Sequence, residues 1–397
     1  MISISEARSI LFNSTPLMPV AEKPVPESCG YILSENIFSD LDIPLFNQSA
    51  MDGFAVNVDP DQIENDPVTL PVIAEISAGS HSTGNLKRNT AARIFTGSAV
   101  PENTTCVVRQ EKADFNGDQV TILKRVIAEE GNIRPKGSQI KKSDLAFAER
   151  SYINPATVGF LSALGITHLP VFDKPRVSVL STGNELIRPG DKFKPGQIFE
   201  SNSFMLKAAL EQNGFECNQR NSVTDNEPKL QQLLLEMLET SDVVVVTGGI
   251  SVGKYDLVKT VLENLGVNQL FYKVKQKPGK PLFAGKRDNK LVFALPGNPA
   301  AALVCYYQYV LPSLKKMSGN SQFEPEEKQI PLAHSFRTKG NRDTFFKAKI
   351  KGEQVKLLYG QGSDMLRSFA EADALVLLQA GNHEYDAGRT VTVYPLP

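Results

Sequence analysis

The sequence lacks three features that would narrow its function at once: an excess of one charge, a long apolar run and clustered metal ligands. Its formal net charge is −1 over 397 residues, and the composition gives no sign of the basic surface that nucleic-acid binding requires. No apolar stretch approaches the ~18 residues that a membrane-spanning helix needs. An anionic ligand must therefore be held by a local group of residues, because the whole protein has no positive field to attract it.

Cysteine and histidine are also sparse. There are four of each, and the cysteines are far apart and form no C-x-x-C pair, so a zinc site is not expected. The first 21 residues mix Glu6, Arg8 and Asn13 with apolar residues and lack the basic-then-apolar order of a signal peptide. The sequence predicts a cytoplasmic protein with reduced thiols and no membrane association.

The length predicts roughly two to four domains, because one ordinary core does not accommodate so long a chain. Residues 2–18 carry apolar side chains at helical spacing, and residues 143–171 return to this pattern, with a helix ending at Gly165. Residues 45–137 instead hold short apolar stretches between turn residues, with a hairpin signal, Asn-Gly-Asp, at 116–118. We therefore predict a small all-β domain inserted into a helical domain whose two separated segments pack together.

The second half of the chain has the pattern of an α/β domain. Residues 176–180 and 242–246 are β-branched runs without alternation, which is typical of strands buried on both faces. Helical patterns lie among these strands, and together they predict a doubly wound, mainly parallel sheet. The predicted helices are at 202–213, 226–239, 256–265 and 299–316, with further strands at 268–274 and 290–295. The C-terminal tail again alternates apolar and polar residues, and this pattern predicts a small β-barrel or sandwich.

Three loops after predicted strands combine glycines with polar residues, at 181–185, 247–256 and 295–301. Ligands bind at the carboxyl ends of such strands, and glycines allow backbone N–H groups to approach a phosphate. Asp256 and Asn298 could instead be helix N-caps only, but three such loops in one sheet favour a ligand site. The candidate binding residues in these loops are Ser181, Thr182, Gly183, Glu185, Gly248, Gly249, Ser251, Gly253, Pro296, Gly297, Asn298 and Pro299.

Charged candidates lie in and near these loops. Lys277 and Lys280 belong to a Lys-Pro-Gly-Lys-Pro turn and could bind phosphate or another oxyanion; the alternative is a solvated basic turn, and both interpretations also apply to residues 132–137. Carboxylates near the loops could hold Mg²⁺ through oxygen atoms and water, although each one alone is more commonly a cap or a surface residue. These acids are Asp52, Glu185, Asp225 and Asp256.

Seven segments, taken together, closely resemble the MoeA family of molybdopterin molybdenumtransferases, which is related to the E domain of gephyrin. The most specific are Ser-Ala-Met-Asp-Gly at 49–53 and Leu-Pro-Gly-Asn-Pro at 295–299. All seven occur in family order, at residues 47–55, 95–101, 132–137, 181–186, 247–256, 277–281 and 296–301. The resemblance implies a multi-domain α/β plus β protein with a discontinuous helical linker domain (1–44 and 138–172), an inserted β domain (45–137), a MogA-like doubly wound α/β domain (173–318) and a C-terminal β-barrel (319–397).

The activity implied by the resemblance is the insertion of molybdate into adenylylated molybdopterin with Mg²⁺, which releases AMP and forms the molybdenum cofactor. The implied catalytic residues are Asp52, Asp225, Asp256, Lys277 and Lys280, and the implied metal ligands are Glu185, Asp225 and Asp256. Thr96 and Arg134 join the substrate-binding residues, and Ser363 and Ser368 match more weakly. One position departs from the family, because Gln139 stands where an acid is frequent.

The resemblance further implies a homodimer whose site lies between the α/β domain of one subunit and the inserted domain of the other. A MogA-like adenylyltransferase and molybdoenzyme-maturation proteins are the partners it suggests. Two alternatives remain open: a molybdopterin-binding scaffold without catalysis, and a MogA-type adenylyltransferase. The acids and lysines favour an enzyme over a scaffold, and the segment at 49–53 argues against the adenylyltransferase. The preference between molybdate and tungstate stays open.

Overall fold

A computed structural model describes residues 1–59, 61, 63–80, 84–250 and 256–397. The helices are α1 (Ile4–Ser14), α2 (Lys124–Glu129), α3 (Pro155–Ala163), α4 (Asn202–Gln212), α5 (Glu227–Thr240), α6 (Leu257–Asn264), α7 (Pro299–Cys305), α8 (Leu311–Met317) and α9 (Leu366–Ala370). A π-helical turn, Tyr306–Val310, joins α7 to α8. None of the helices in the described ranges is long and apolar enough to span a bilayer.

The strands are short and numerous. They are β1 (Val20–Pro24), β2 (Ile32–Leu33), β3 (Ile37–Phe38), β4 (Gln48–Ser49), β5 (Gly53–Asn57), β6 (Val68–Ile76), β7 (Thr90–Ile94), β8 (Cys106–Arg109), β9 (Ala113–Phe115), β10 (Gln119–Ile122), β11 (Ile133–Arg134), β12 (Leu145–Phe147), β13 (His168–Phe172), β14 (Val177–Thr182), β15 (Leu186–Ile187), β16 (Ile198–Phe199), β17 (Cys217–Val223), β18 (Val243–Thr247), β19 (Asn268–Tyr272), β20 (Gln276–Lys277), β21 (Phe283–Arg287), β22 (Lys290–Leu295), β23 (Lys328–Pro331), β24 (Phe336–Arg337), β25 (Asp343–Lys351), β26 (Gln354–Leu357), β27 (Ala374–Leu378), β28 (Glu384–Tyr385) and β29 (Thr390–Pro395).

The chain forms two compact units. The first comprises Met1–Ser34, Arg150–Pro155 and His168–Pro397, and the second comprises Glu35–Glu149 and Ala156–Thr167. The prediction of a multi-domain α/β plus β architecture is confirmed. The residue boundaries predicted for the four domains stay predictions.

The first unit contains a six-stranded sheet in the order β17-β14-β18-β22-β21-β19. The first four strands are parallel to one another, and β21 is antiparallel to both of its neighbours, β22 and β19. Strands β14 and β18 are buried along their whole length, as the β-branched runs indicated. Strand β21 was not expected, because Gly285 in its centre weakens the strand pattern; a Cβ there would lie 2.6 Å from a methyl group of Val267.

Helix α1 packs differently from the prediction. Ser3 caps it by accepting a hydrogen bond from the Glu6 N–H at 3.1 Å. Its buried side chains, Ile4 and Leu11 among them, belong to the same apolar cluster as Val177 of β14. The apolar face of α1 therefore lies in the α/β core and not against residues 143–171. The two separated segments do meet, but through strands, because β1 pairs antiparallel with β13.

The C-terminal part of the first unit is a sheet in the order β20-β25-β27-β29-β23. Its apolar side is a separate buried cluster with Val355, Val376 and Val393 at its centre. The outermost strand, β20, comes from the α/β half of the chain and pairs in parallel with β25. The C-terminal sheet thus reaches back to residues 276–277. Its closure into a barrel stays a prediction.

The second unit contains a six-stranded sheet in the order β8-β5-β7-β6-β10-β9. The hairpin predicted at 116–118 is confirmed, since it joins β9 to β10. Asn116 Oδ1 accepts hydrogen bonds from the N–H groups of Asp118 (3.2 Å) and Gln119 (2.9 Å), and Gly117 has φ +108°. This is the local turn chemistry that an Asn-Gly pair provides.

Glu130, just after α2, is the centre of a buried ionic cluster in this unit. Its side chain is 5% exposed and receives Arg109 Nη2 and Lys112 Nζ, each at 2.9 Å. Burial by itself raises the pKa of Glu130, but the hydrogen bonds from Lys112 and Arg109 outweigh burial and hold the pKa at about 2. Because the carboxylate also accepts a hydrogen bond from Asn132 Nδ2, the cluster orients the chain that leads to Arg134.

We expect Glu130 to make the second unit acid-sensitive. The folded pKa of about 2 lies below the ordinary 4.5, so the carboxylate stabilises the fold above pH 4.5 and this contribution is lost as the pH falls toward 2. Thermal melting across that pH range should show a smaller acid-dependent loss for Glu130→Gln than for the wild type. The exposed neighbour Glu129 provides the control, since Glu129→Gln should behave as wild type. An equal acid-dependent loss in Glu130→Gln and wild type would contradict the assignment.

Candidate active site

A cleft of about 1020 Å³ opens in the first unit, where β14, β18 and β22 end. Because these strands are parallel, their carboxyl ends lie at one edge of the sheet, and the loops after them form one wall. The cleft gathers most of the predicted site residues of this unit. Those that line it are Ser181, Thr182, Gly183, Glu185, Asp225, Gly248, Gly249, Lys277, Lys280, Pro296, Gly297, Asn298, Pro299 and Ser363.

Glycine allows the loops after β14 and β18 to approach each other. Gly248 has φ +85°, and a Cβ there would lie 2.2 Å from the carbonyl oxygen of Thr182. Gly297, from the third loop, comes close to the Gly248 Cα, which would be 3.6 Å from a Cβ at position 297. Any side chain at 248 would push the first two loops apart. The glycine therefore fixes the width of the cleft wall.

Two buried oxygen atoms in this wall have no hydrogen-bond partner among the described residues. One is Oγ of Ser181, which is 1% exposed, and the other is Oδ1 of Asn202. The amide of Asn202 is oriented by its Nδ2, which donates to Thr247 Oγ1 (2.8 Å) and to the carbonyl of Gly297 (2.7 Å). Buried polar atoms are rarely left unpaired, so both positions fit a wall that a ligand or water completes.

Asn202 was not predicted from the sequence. It is the first residue of α4, and a helical start is an ordinary place for Asn. Its role in the wall depends on contacts with residues 45 and 95 positions further along the chain. Such long-range contacts leave no local signal in the sequence.

Two of the three predicted metal ligands line the cleft. Asp225 Oδ1 accepts from Thr182 Oγ1 at 2.8 Å, and the Asp225 N–H donates to Asn184 Oδ1 at 3.0 Å. The Glu185 carboxylate folds back over Gly183, 2.7 Å from the place a Cβ would take. Proteins commonly bind Mg²⁺ through one or two carboxylates, with substrate phosphates and water as the other ligands. The pair fits that requirement.

Asp256, the third predicted metal ligand, has a different position from Glu185 and Asp225. It does not line the cleft; its Oδ1 caps α6 by accepting from the Lys259 N–H at 3.4 Å, and its Oδ2 accepts from the Tyr272 hydroxyl. Burial, followed by the bond to Asp256, raises the pKa of Tyr272. Within the described part of the chain, no group of three or more His, Cys, Asp or Glu residues could hold a metal ion. The structure thus shows the cap, and a metal role for Asp256 stays a prediction.

The basic turn lines the same cleft as the loops that contain the acids. Lys277 and Lys280 both line the cleft, and the turn is closed by the Val274 N–H, which donates to the Lys280 carbonyl at 3.1 Å. Arg342 lines the same cleft and donates from Nη1 to the Gln276 carbonyl at 3.3 Å. Arg342 lies in a polar loop without a motif, which explains why sequence analysis missed it. The lining of the cleft therefore includes the cations Lys277, Lys280 and Arg342 together with the acids Glu185, Glu200, Asp225 and Asp364.

A loop of the C-terminal sheet closes the cleft beside α7. The Ser363 carbonyl accepts from the Ala301 N–H at 3.1 Å, and its Oγ accepts from Asn298 Nδ2 at 2.7 Å. Asn298 is the N-cap residue of α7, but its side chain makes no cap bond and donates to Ser363 instead, so the alternative that Asn298 is only a cap is wrong. Ser368 does not line the cleft; its Oγ donates to the Gly360 carbonyl at 2.6 Å and so braces the same loop from within.

The remaining predicted residues lie in the second unit or outside the described residues. Asp52 Oδ1 accepts from both the N–H and Oγ1 of Thr96 at 2.7 Å, and these bonds lower the pKa of Asp52. Arg134 pairs with Gln48 and lines a hollow of about 430 Å³ together with Gln139. Ser251 and Gly253 lie outside the described residues.

Three family profiles match successive parts of the chain. Residues 2–165 match the MoeA N-terminal region (domain I and II), residues 178–316 match a probable molybdopterin binding domain, and residues 329–396 match the MoeA C-terminal region (domain IV). Together they cover most of the chain. The match of residues 178–316 contains all three loops that form the cleft wall.

Whole-length relatives agree with these matches. The molybdopterin molybdenumtransferase of Haemophilus influenzae is 32% identical over 100% of this chain and 98% of its own length, and that of Nostoc sp. is 32% identical over 100% and 94%. A crystal structure of the molybdopterin biosynthesis MoeA protein from Pyrococcus horikoshii has a TM-score of 0.82 at 30% identity, covering 100% of this chain and 99% of its own. With this likeness along its whole length, the chain belongs to the MoeA family.

Proposed function

We propose that this chain is a Mg²⁺-dependent molybdopterin molybdenumtransferase, which inserts molybdate into adenylylated molybdopterin, releases AMP and forms the molybdenum cofactor. The observation that carries the proposal is a single cleft that combines an acid pair, Glu185 and Asp225, with the lysines of the 277–281 turn. A divalent cation and an oxyanion need opposite charges within one site. Relatives that match the whole chain are named molybdopterin molybdenumtransferase.

The cationic side chains that line the cleft suit the two anionic substrates. Cleavage of an adenylyl anhydride builds negative charge on phosphate oxygens, and molybdate is itself a dianion. Lys277, Lys280 and Arg342 would neutralise this charge by positioned point-charge and hydrogen-bond contacts. Because the protein has a net charge of −1, these side chains must supply the attraction locally.

Glu185 and Asp225 are the residues that would hold Mg²⁺. When bound, the ion would supply charge neutralisation at phosphate oxygens. The hydrogen bond from Thr182 fixes the Asp225 carboxylate, so that it is already oriented before a ligand arrives. This preorganisation lowers the cost of assembling the site.

The chemistry requires no protein thiol, because the dithiolene sulfurs that receive molybdenum belong to the substrate. No cysteine is among the described residues that line the cleft. Burial raises the pKa of the Cys106 thiol to about 12 and raises that of Cys305 as well. Neither residue is suited to act as a thiolate ligand.

We further propose that a homodimer completes the site. The residues that line the large cleft belong to the first unit, whereas Asp52, Thr96 and Arg134 form a separate group in the second. The second group combines a low-pKa carboxylate with an exposed guanidinium. In the proposed arrangement, this group of one subunit faces the cleft of its partner.

The central test is conversion of adenylylated molybdopterin by the purified protein with molybdate and Mg²⁺ varied independently. We expect AMP release that requires both, together with molybdenum bound to the pterin by elemental analysis. Tight binding of molybdopterin without AMP release would indicate the scaffold instead. Formation of adenylylated molybdopterin from ATP would indicate the adenylyltransferase.

Two variants of Asp256 distinguish a structural role of this residue from a metal-binding role. Asp256→Ala should lower stability by ~1 kcal/mol through loss of the α6 cap, whereas Asp256→Asn retains a cap acceptor and should melt close to wild type. If Asp256 also binds Mg²⁺, both variants should lose turnover, because the amide has no negative charge. Full turnover in Asp256→Asn would leave Asp256 as a cap only.

The lysine turn should control the molybdate requirement. Lys277→Ala and Lys280→Ala each remove a charged hydrogen-bond donor, a loss of about 1.5–3 kcal/mol, which corresponds to roughly a tenfold or greater rise in the half-saturating molybdate concentration. The affinity for adenylylated molybdopterin should change less, because the larger ligand has many other contacts. Lys275→Ala is the matched control, since Lys275 is exposed and does not line the cleft. An unchanged molybdate requirement in both variants would show that the lysines do not bind molybdate and belong to a solvated basic turn.

A further inference from the structure

Gln276 is fully buried immediately before the lysine turn. Its Nε2 donates to the Pro278 carbonyl inside the turn at 3.1 Å, and its own carbonyl accepts from Arg342 Nη1 at 3.3 Å. Its Oε1 accepts from the hydroxyl of Tyr309. A single side chain thus connects the inside of the turn to the helical segment beneath it.

Tyr309 belongs to the π-helical turn Tyr306–Val310. It is fully buried, and its hydroxyl donates to Gln276. The hydroxyl of Tyr306, from the same turn, donates to a different element, the carbonyl of Ala209 in α4, at 3.0 Å. A π-helical turn changes the direction of the side chains relative to a regular helix, and such turns are frequent at functional sites. Here the change directs Tyr309 toward the basic turn.

The surroundings of this pair are apolar. Tyr309 lies in the same core cluster as Cys305, Phe271 and Val304, and Gly279 packs so closely that a Cβ would lie 2.5 Å from the Cys305 sulfur. Two apolar side chains of the same shape would fill this part of the core, but they would leave the Pro278 carbonyl without the Gln276 donor. The polar pair instead gives the turn one fixed position, because Gln276 is bonded both to Pro278 inside the turn and to Tyr309.

We propose that Gln276 and Tyr309 are positioning residues that hold the 277–280 turn so that Lys277 and Lys280 project into the cleft. Gln276 fixes the turn from inside through Pro278, and Tyr309 fixes Gln276 to the helix. The inference rests on the proposed function for its effect on molybdate use. Its structural part, the placement of the two ammonium groups, can be measured without turnover.

The test compares Tyr309→Phe, Tyr306→Phe and the double variant Gln276→Leu/Tyr309→Phe. Tyr309→Phe removes one hydroxyl, and Tyr306→Phe makes the same change in the same turn without touching Gln276. The double variant removes both partners of the Tyr309–Gln276 bond and also takes the Gln276 donor away from the Pro278 carbonyl, so the melting temperature of every variant is measured alongside. Two readouts are needed: the half-saturating molybdate concentration, and the rate at which an amine reagent labels Lys277 and Lys280, measured by peptide mass spectrometry.

We expect the half-saturating molybdate concentration to rise by about tenfold in Tyr309→Phe and to stay raised in the double variant. Labelling of Lys277 and Lys280 should change in both of these variants and match wild type in Tyr306→Phe. Wild-type labelling and wild-type molybdate dependence in the double variant would overturn the proposal. If the wild type itself has no turnover, the proposed function fails, and the labelling rates still decide whether the pair positions the lysines.

Discussion

The close contact of two loops at one edge of the parallel sheet is the constraint on which the candidate site depends. Strands β14, β18 and β22 are in register and end together, but their loops form a continuous wall only because Gly248 has no side chain against the Thr182 carbonyl. The same Thr182 orients Asp225 through its hydroxyl. One threonine therefore connects the backbone packing of the wall to the placement of a charged group.

Charge in this protein is arranged locally. The formal net charge is −1, yet one cleft is lined by the cations Lys277, Lys280 and Arg342 and by the acids Glu185 and Asp225. An arrangement of this kind suits a reaction in which a cation and two anions meet. It also makes the precise position of each group more important, because there is no long-range field to compensate for a misplaced side chain.

Much of the fold could be predicted from the sequence because its signals are local. The buried runs of β14 and β18, the helices between them and the hairpin at 116–118 all depend on neighbouring residues. Apart from β21, whose pattern Gly285 weakens, the features that were missed depend on distant residues. The packing of α1 into the α/β core and the pairing of β20 with β25 join residues far apart in the chain, and no periodicity within a segment encodes its partner.

The site shows the same division. The glycine loops and the lysine turn were found because their residue types are unusual in combination, and most of them line one cleft. Asn202 and Arg342 were missed, because Asn at a helix start and Arg in a polar loop are ordinary. Asn298 has the N-cap position that its place before Pro299 suggests, but its side-chain amide donates to Ser363, in a loop of the C-terminal sheet. Local propensity described what each residue could do, and the tertiary contacts decided which role it took.

The pairing of β20 with β25 has a consequence for how this protein can change during evolution. Residues 276–277 belong to the chain of the α/β domain, but they form the outermost strand of the C-terminal sheet, and that sheet also supplies Ser363 and Arg342 to the cleft. The C-terminal sheet is therefore not an appendage that recombination could exchange freely between relatives. A graft with a different β25 register would shift the strand that leads into the basic turn, so the two domains must be inherited, and must diverge, as one functional piece.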